Sequence, residues 1–307
     1  MNATSEDTLE KTRTGSTRII TPVEPGVIAF KYTKRWSAFD RGSSSQLIPG
    51  IGVARCACAV KSFELARAAG LPTHFIEQVS DTTIHVQEFS VLGHESLSGK
   101  VHGRVLPLEW IWRDLVFGSL LERLMSGAAD PVALGFAAGT VVTKGMKLPK
   151  MLLECTTKFE VMDRHLTNVE ARDLAGLSKS QWDDARGLIV QLVAVTNNHY
   201  NEVDLLSPDG KHELGMTLKG DIVGVDVFGT QDENRIIDKM TGAIKSKDLI
   251  RNHLKTRPWK KLLDEAKKQY PREKSKWPDY PVLPDDLVQL VSSEYADVAK
   301  RYACAPF

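Results

Sequence analysis

The chain contains 307 residues, of which 42% are hydrophobic and 26% are charged, and its formal net charge is +1 at pH 7. This length and apolar content suffice for one large or two moderate domains with a buried core, and the near-neutral charge argues against nucleic-acid binding, which favours a basic surface. The sequence contains no apolar run near the roughly 20 residues that span a bilayer, and residues 1–14 lack the apolar core of a signal peptide, so we expect a cytoplasmic protein without a membrane partner.

The first part of the chain predicts a tail followed by a small domain. Residues 1–14 are polar with weak periodicity, which predicts disorder. One helix is expected at about residues 53–69, where Ala, Val, Phe and Leu recur at helical spacing. Alternating or continuous apolar runs predict strands at residues 18–20, 27–32 and 84–89. We therefore expect a small α+β domain over residues 15–105 that binds nucleotide.

The second part, residues 106–307, predicts a larger α+β domain. Residues 93–103 are rich in glycine and serine, which predicts a hinge loop at the boundary between the two domains. Periodicity predicts helices at about residues 111–126 and 178–201. A hairpin follows, and the chain ends in charged helices around a proline-rich crossing at residues 277–284.

The hairpin is the most informative segment because it carries charged residues at a regular spacing. Apolar residues lie on both sides of a Gly-Asp turn at residues 220–221, which is typical of two strands joined tightly. This arrangement brings Glu213 and Asp226 onto adjoining strands, and alternation turns Lys211 to the same face as Glu213 and His212 to the other. Two carboxylates suit Mg²⁺, which also takes phosphate oxygens and water as ligands. Charges of this kind are also common on a solvated face, so spacing alone leaves both interpretations open.

The four cysteines do not form a metal-binding pattern. Cys56 and Cys58 stand together on the predicted helix, whereas Cys155 and Cys304 are isolated in the sequence. Zinc sites usually pair cysteines two to four residues apart, with a matching second pair or histidines. We therefore expect reduced thiols that are buried or incidental.

Segments along nearly the whole chain resemble, in the same order, the motifs of one enzyme family. Asp209-Gly-Lys-His-Glu-Leu-Gly215 is similar to an Asp-x-Lys-x-Glu-x-Gly motif, and the segment from Asp226 to Arg235 is similar to an Asp-Glu-x-x-Thr-Pro-Asp-Ser-Ser-Arg motif. The other matching segments are Gly15-Ser-Thr-Arg18, Ser37-Ala-Phe-Asp40, Ile48-Pro-Gly-Ile-Gly52, residues 69–77, residues 106–119 and residues 281–295. These motifs resemble those of the SAICAR synthetase family, which joins aspartate to the carboxylate of a phosphoribosyl aminoimidazole in purine synthesis.

The resemblance implies an α+β fold in which a small β-rich lobe packs on a larger ATP-grasp-like lobe, with the nucleotide in the cleft between them. It implies an ATP-dependent ligase that uses ATP and Mg²⁺ as cofactors. The partners would be small molecules, namely a phosphorylated ribosyl heterocycle and aspartate or another amine. Neither the residues nor the resemblance decides whether the chain forms a homo-oligomer.

The resemblance also assigns roles to individual residues. The metal ligands would be Glu213 and Asp226. The nucleotide would contact Arg18, Glu88 and Lys211, and the catalytic residues would be Lys211, Asp232 and Asp209. The phosphorylated substrate would contact Ser37, Asp40, Glu109, Arg113, Ser119 and Arg235. An arginine fork and a hydroxyl suit phosphate geometry. Two structural alternatives stay open: Lys211 only pairs with a neighbouring carboxylate, or Arg113 forms a salt bridge with Asp114 or Glu109.

Several residues depart from the family pattern. Ser16 and Ile51 stand where the family has lysines, Val227 replaces a glutamate, and Glu233-Asn234 replaces Ser-Ser. The metal carboxylates and the anion-binding residues are kept, while residues of the substrate loops change, and a site built for one polar group rejects analogues strongly. Three hypotheses follow: a SAICAR synthetase, a paralogue that uses the same chemistry on a related heterocyclic carboxylate in natural-product synthesis, and a nucleotide-binding regulator or scaffold without turnover.

Overall fold

The computed structural model describes residues 12–92, 102–160 and 163–304. They form a mixture of strands and helices, which confirms the predicted α+β class. The strands are β1 (Arg13–Thr14), β2 (Arg18–Glu24), β3 (Val27–Tyr32), β4 (Phe75–Ser80), β5 (Thr83–Gln87), β6 (Arg104–Val105), β7 (Leu108–Leu115), β8 (Lys147–Thr157), β9 (His165–Leu166), β10 (Leu205–Leu206), β11 (Asp209–Met216), β12 (Ile222–Val225) and β13 (Ile237–Asp238). The helices are α1 (Ile51–Ala68), α2 (Gly118–Met125), α3 (Asn168–Leu174), α4 (Lys179–Glu202), α5 (Asp248–Lys255), α6 (Pro258–Gln269) and α7 (Asp285–Ala303).

The described residues divide into two compact units. The first unit contains the described parts of Met1–Phe63, His74–Phe89 and Ile250–Phe307, and the second contains those of Glu64–Thr73 and Ser90–Leu249. The C-terminal helices therefore belong with the N-terminal sheet. The domains expected from the sequence, residues 15–105 and 106–307, stay a prediction.

The sheet of the first unit is antiparallel, with the described strands in the order β1-β2-β3-β5-β4. Its buried face follows the period of two that a strand imposes on its side chains. Ile28 and Phe30 of β3 pair with Val86 and Ile84 of β5, and all four are buried. Strands β3 and β5 confirm the predictions at residues 27–32 and 84–89.

Helices α1 and α7 pack together in the first unit. The Ser62 Oγ lies 3.0 Å from the Tyr302 Oη, and the Arg55 guanidinium lies 5.6 Å from the centroid of the Tyr295 ring. Helix α1 confirms the helix predicted at about residues 53–69. Its Cys56 is a buried free thiol, and burial raises the pKa of that thiol to about 12, which is the environment of an unreactive cysteine.

The sheet of the second unit corrects one sequence prediction. Its described strands run in the order β12-β11-β7-β8-β9, and β6 also pairs with β11. The helix predicted at about residues 111–126 is wrong in its first half, because residues 108–115 form β7 and α2 begins only at Gly118. Leu108, Trp110 and Trp112 are all fully buried, so their alternation is that of a strand, and pairing with β8 and β11 decides the conformation.

Helix α4 covers one face of this sheet. It begins with a capping box, in which the Ser178 Oγ accepts from the Gln181 N–H and the Gln181 side chain accepts from the Ser178 N–H. The rings of Trp110 on β7 and Trp182 on α4 lie 4.8 Å apart. The helix confirms the prediction at residues 178–201. By alternation, Glu109 and Arg113 of β7 and the charged residues of β11 lie on the sheet face opposite to that of Trp110.

Two predicted segments fall largely outside the described residues. They are the tail at residues 1–14, of which 1–11 are not described, and the hinge at 93–103, of which 93–101 are not described. Arg13 and Thr14 pair with Ile20 and Ile19, so the strand-rich region begins slightly earlier than the sequence predicted. In the part of the chain that the structure describes, no helix has the length and apolar character needed to cross a bilayer.

Candidate functional site

Alternation along β11 places its charged residues on one face of the sheet. Asp209, Lys211 and Glu213 point one way because side chains two residues apart in a strand share a face. Asp209 lies opposite Arg113 in the register of β7, and paired residues share a face as well. The sequence prediction that Lys211 and Glu213 share a face is therefore confirmed.

His212 lies on the other face, as the alternation predicted. Its side chain is buried and its ring stacks on Phe228 with 5.0 Å between centroids. Burial lowers the pKa of His212 to about 3, so the imidazole is neutral at physiological pH. His212 therefore belongs to the buried core and is not part of the charged cluster on the other face of the sheet.

Glu213 and Asp226 meet at the end of the hairpin, next to a lysine that sequence reasoning missed. Glu213 pairs with Val225 across β11 and β12, and Asp226 follows with φ of 58°. The ammonium of Lys158 contacts the Glu213 carboxylate. Burial alone would lower the pKa of Lys158, but Glu213 and Asp226 outweigh it and hold that pKa above its ordinary value. The lysine therefore marks a position that favours a cation.

The charge of Glu213 is expensive to bury, even with this lysine. Burial raises the pKa of Glu213 to about 7, Lys158 opposes the rise, and the Asp226 carboxylate adds to it. Two neighbouring carboxylates repel each other unless a cation lies between or beside them. A positive charge nearby would therefore stabilise the ionised forms of Glu213 and Asp226.

This donor set fits Mg²⁺ that is shared with a nucleotide. Among the described residues, no group of three or more His, Cys, Asp or Glu side chains is arranged to hold a metal. A protein-only cage is therefore not present in that part of the chain. Mg²⁺ commonly binds through one or two carboxylates and completes its octahedron with phosphate oxygens and water, which is what Glu213 and Asp226 allow.

Lys211 lies between two carboxylates. Its Nζ is 2.8 Å from Glu109 Oε1 and 3.3 Å from Glu233 Oε2. Burial would lower the pKa of Lys211, but Glu233 and Glu109 raise it well above its ordinary value. The ammonium therefore keeps its proton. Both the ion pair with a neighbouring carboxylate and a catalytic cation remain compatible with this position.

Arg113, Ser119 and Arg235 converge around Asp209. Arg113 donates from Nη2 to Ser119 Oγ at 3.0 Å and from Nη1 to Asp209 Oδ2 at 3.4 Å. Arg235 also donates from Nη1 to Asp209, and its Nε lies 2.5 Å from Asp248 Oδ2. Burial raises the pKa of Asp209, and Arg235 and Arg113 oppose that rise. The guanidinium groups of Arg113 and Arg235 and the hydroxyl of Ser119 are thus close together.

The start of α2 contributes to the same cluster. Gly118 has φ of 52°, and a Cβ at this position would lie 2.8 Å from Arg235 Nη2. Glycine therefore permits the close approach of the guanidinium to the helix start. Phe117, the N-cap residue, forms no side-chain cap, and the Arg235 guanidinium lies 5.4 Å from its ring centroid. An anion placed here would meet arginines and backbone N–H groups together.

Arg113 does not use the structural partners that the sequence suggested. Its carboxylate partners are Asp209 and Glu154, the latter at 3.3 Å from Nε, whereas Asp114 accepts a hydrogen bond from Asn197 at 3.3 Å. Glu154 also accepts both amino groups of Arg123, at 2.8 and 2.9 Å. The sequence does not predict Glu154, Lys158 or Glu233 as site residues.

The predicted site residues divide between the two units. Asp232 is buried and belongs to the second unit, where its backbone N–H donates to Thr230 Oγ1 at 3.3 Å. The structure brings together Glu109, Arg113, Ser119, Asp209, Lys211, Glu213, Asp226 and Arg235 within the second unit. Arg18, Ser37, Asp40 and Glu88 belong to the first unit.

Each of these four residues has a contact with another residue of the first unit. The Arg18 guanidinium lies 5.0 Å from the centroid of the Phe30 ring. The Glu88 N–H donates to the Gly26 carbonyl at 2.8 Å. Ser37 forms an isolated bridge with Ser43, and the Asp40 carboxylate pairs with Lys267 at 3.1 Å.

Comparison with known proteins identifies similar chains. The model of the family described as SAICAR synthetase matches residues 11–266. A phosphoribosylaminoimidazole-succinocarboxamide synthase of Thermoplasma acidophilum is 31% identical over 279 residues, which cover 89% of this chain and 92% of the relative. The protein of the same name from Thermoplasma volcanium is 32% identical over 273 residues, which cover 87% of this chain and 90% of the relative.

Solved structures show a similar fold. A SAICAR synthase from Saccharomyces cerevisiae complexed with SAICAR has a TM-score of 0.72 at 18% identity and covers 100% of this chain and 99% of that one. A SAICAR synthetase in complex with ADP has a TM-score of 0.65 at 22% identity, with 88% of this chain and 100% of that one covered. At these identities the likeness concerns the fold.

Proposed function

The chain belongs to the SAICAR synthetase family, and from this premise we propose that it is an ATP-dependent ligase that forms an amide between a phosphoribosyl aminoimidazole carboxylate and the amine of aspartate, as in purine synthesis. The observation that carries the proposal is the polar face of the second unit. There, the carboxylates of Glu213 and Asp226 and the paired arginines Arg113 and Arg235 lie on or beside neighbouring strands. Amide formation from a phosphorylated substrate needs both groups, a cation site for nucleotide and a clamp for phosphate.

The chemistry follows from the low reactivity of a carboxylate toward amines at neutral pH. A carboxylate oxygen attacks the γ-phosphorus of ATP, the bond to ADP breaks, and an acyl phosphate forms. The amine nitrogen then attacks the acyl carbon, inorganic phosphate leaves, and the nitrogen loses a proton. Phosphoryl transfer is catalysed chiefly by positioning and by neutralising negative charge. The main roles of the side chains are therefore to orient the substrates and to neutralise the negative charge of the phosphate groups.

Glu213 and Asp226 are the proposed ligands of Mg²⁺. When bound, the ion would neutralise phosphate charge. Pairing of β11 with β12 brings these two side chains close together. Their preference for a neighbouring cation, seen in the contact of Lys158 with Glu213, supports the assignment.

Lys211 is the proposed catalytic cation. Its ammonium stays charged between Glu109 and Glu233, and Glu109 is also the proposed contact of the ribose hydroxyls. Asp232 is proposed near the reacting groups. Asp209 has the most direct support for a positioning role, because it accepts hydrogen bonds from both Arg113 and Arg235.

Arg113, Ser119 and Arg235 form the proposed clamp for the substrate phosphate. Their hydrogen-bond donors converge at the start of α2, and guanidinium forks match phosphate geometry. In the first unit, Arg18 and Glu88 are proposed to contact the nucleotide. Ser37 and Asp40 are proposed to contact the ribosyl substrate.

One observation favours a second candidate, a ligase of the same chemistry that takes a different amine. Glu233 stands where the family motif has serine, and its carboxylate lies 3.3 Å from Lys211 Nζ. An added carboxylate disfavours a second anionic group nearby, and aspartate carries two carboxylates. An amine with fewer negative charges would meet less repulsion at this place.

ADP and amide formation with purified protein separates the two candidates. The protein is supplied with ATP, Mg²⁺, carboxyaminoimidazole ribotide and aspartate, and in parallel with a panel of neutral amines and of other heterocyclic carboxylates. Turnover with the ribotide and aspartate supports the purine reaction. Turnover only when another amine replaces aspartate supports the second candidate, and binding of ATP without any ADP release across the panel contradicts both.

A further inference from the structure

A short loop of the first unit holds two consecutive residues in an uncommon backbone conformation. Residues 37–43 are closed by a bridge between Ser37 and Ser43. Within the loop, Phe39 has φ of 53° and Asp40 has φ of 56°. This left-handed region is costly for residues other than glycine, and such strain persists only where surrounding contacts enforce it. The loop therefore needs an external restraint.

Tyr280 supplies that restraint through its hydroxyl. The Oη accepts from the Ala38 N–H at 2.7 Å and lies 2.6 Å from the Ala38 carbonyl and 3.0 Å from the Gly42 carbonyl, to which it can donate. Burial raises the pKa of Tyr280 to about 12, so the hydroxyl keeps its proton. One side chain thus bonds the backbone before and after the two strained residues.

The ring of Tyr280 is fixed as firmly as its hydroxyl. Its centroid lies 4.5 Å from that of Trp36 and 5.2 Å from that of Trp259, and both tryptophans are buried. Aromatic contacts of this kind set the direction of the hydroxyl. The phenol can therefore be replaced by phenylalanine with the packing kept and only the hydrogen bonds removed.

Lys267 of α6 restrains the side chain of Asp40. Its Nζ lies 3.1 Å from Asp40 Oδ2, and the lysine side chain is only 16% exposed, whereas that of Asp40 is 55% exposed. Arg41 adds a further tether, with Nη2 at 2.6 Å from Asp279 Oδ1 and Nε at 2.8 Å from the Pro278 carbonyl. The Asp40 carboxylate is thus oriented from one side and open to solvent on the other.

We propose that Tyr280 and Lys267 are positioning residues that hold the loop at 37–43 in the conformation in which Asp40 binds the ribosyl substrate. This inference rests on the proposed function, which assigns Ser37 and Asp40 to that substrate. The hydroxyl fixes the strained backbone, and the ammonium aims the carboxylate. Neither residue needs to touch the substrate. Because both act through Asp40, which is proposed to bind the substrate, their replacement should weaken substrate binding rather than slow the chemical step.

Amide hydrogen exchange tests the restraint without any substrate. In Tyr280→Phe the Ala38 N–H loses its acceptor, so the peptide that contains residues 36–44 should exchange faster than in the unaltered protein. Tyr270→Phe is the matched control, because the Tyr270 ring contacts Lys276 and lies outside the loop contacts. Equal exchange of this peptide in all three proteins overturns the proposal.

Steady-state kinetics tests the consequence for substrate. In Tyr280→Phe the KM for carboxyaminoimidazole ribotide should rise about tenfold, while kcat and the KM for ATP stay within about twofold. The reason is that the lost hydrogen bonds restrain only the loop at 37–43, which is proposed to bind the ribosyl substrate. Lys267→Gln should also raise the KM for the ribotide, and Lys268→Gln, which alters an exposed neighbour, is its control. If Tyr280→Phe does not fold, the KM of Lys267→Gln tests the proposal instead. An unchanged KM for the ribotide, or an equal rise for ATP, overturns the proposal. If the unaltered protein releases no ADP with any pair of substrates, the proposed function fails instead, and the exchange result still tests the restraint.

Discussion

Lys158 places its ammonium group against the carboxylate of Glu213. The contact joins the residue that follows β8 to β11, although β7 lies between these two strands. The Asp226 carboxylate also favours the charged lysine. A carboxylate pair predicted from the sequence as a metal site thus already attracts a cation of the chain itself. The pair is therefore suited to bind a cation, and its protonation should depend on pH in an observable range.

Stability should depend on pH through Glu213. Burial and Asp226 raise the pKa of Glu213 to about 7, whereas an unfolded glutamate titrates near 4.3. Between about pH 5 and about pH 8 the folded protein binds the extra proton, so its free energy of unfolding falls as pH rises. Glu213→Gln removes this titration, and urea unfolding of the variant should show a smaller fall over the same range.

The control for this measurement is Glu265→Gln, which alters an exposed glutamate of α6. Its free energy of unfolding should follow the same pH dependence as the unaltered protein. Identical pH dependence in Glu213→Gln and the unaltered protein would show that Glu213 has an ordinary pKa in the folded state.

Arg113→Lys should weaken binding of the phosphorylated substrate. Lysine keeps the charge but loses the fork that joins Ser119 and Asp209, so the KM for the ribotide should rise about tenfold or more while kcat changes less. Arg123→Lys is the matched control, because Arg123 shares Glu154 with Arg113 without belonging to the clamp. Equal KM values in both variants would reduce Arg113 to a structural ion pair.

Lys211→Met distinguishes catalysis from a structural ion pair. If the ammonium neutralises charge during phosphoryl transfer, kcat for ADP release should fall by about 100-fold or more. Stability should also fall, because Glu109 and Glu233 lose their partner. A variant with normal kcat and only a lower melting temperature would leave Lys211 with the structural role alone.

Gly210 should tolerate no side chain. A Cβ there would lie 2.6 Å from Asn234 Oδ1 and 2.9 Å from the Trp112 ring, so Gly210→Ala should lower the free energy of unfolding by about 1–3 kcal/mol. Gly187 lies inside α4 with nothing within 4 Å of an added Cβ, and Gly187→Ala should raise stability by about 0.5–1 kcal/mol. Urea unfolding measures both, and a neutral Gly210→Ala would mean that Asn234 moves freely.

Local patterns predicted the hairpin and its two faces. Alternation is a property of a single strand, so the opposite directions of Lys211 and His212 could be deduced from their spacing. The start of α4 was equally accessible, because the capping box at Ser178 and Gln181 involves only neighbouring residues. Such features need no knowledge of the rest of the chain.

Features that depend on distant pairing were missed. Residues 111–115 were predicted to be the start of a helix, but they belong to β7, and pairing with β8 and β11, which lie far along the sequence, decides their conformation. The contacts of Lys158 with Glu213 and of Arg113 with Glu154 depend on the same pairing. The register of a sheet sets which charges meet, and no short motif records that register.

ADP release in the presence of Mg²⁺ by the unaltered protein, Glu213→Gln and Asp226→Asn tests the central claim most directly. With the substrate pair that the protein turns over, each variant should lose about 100-fold or more of the rate, while its circular dichroism spectrum and unfolding by urea show a folded protein. Turnover at the unaltered rate in either variant would contradict the assignment of these carboxylates to the metal, and with it the account of how this face of the sheet activates a carboxylate.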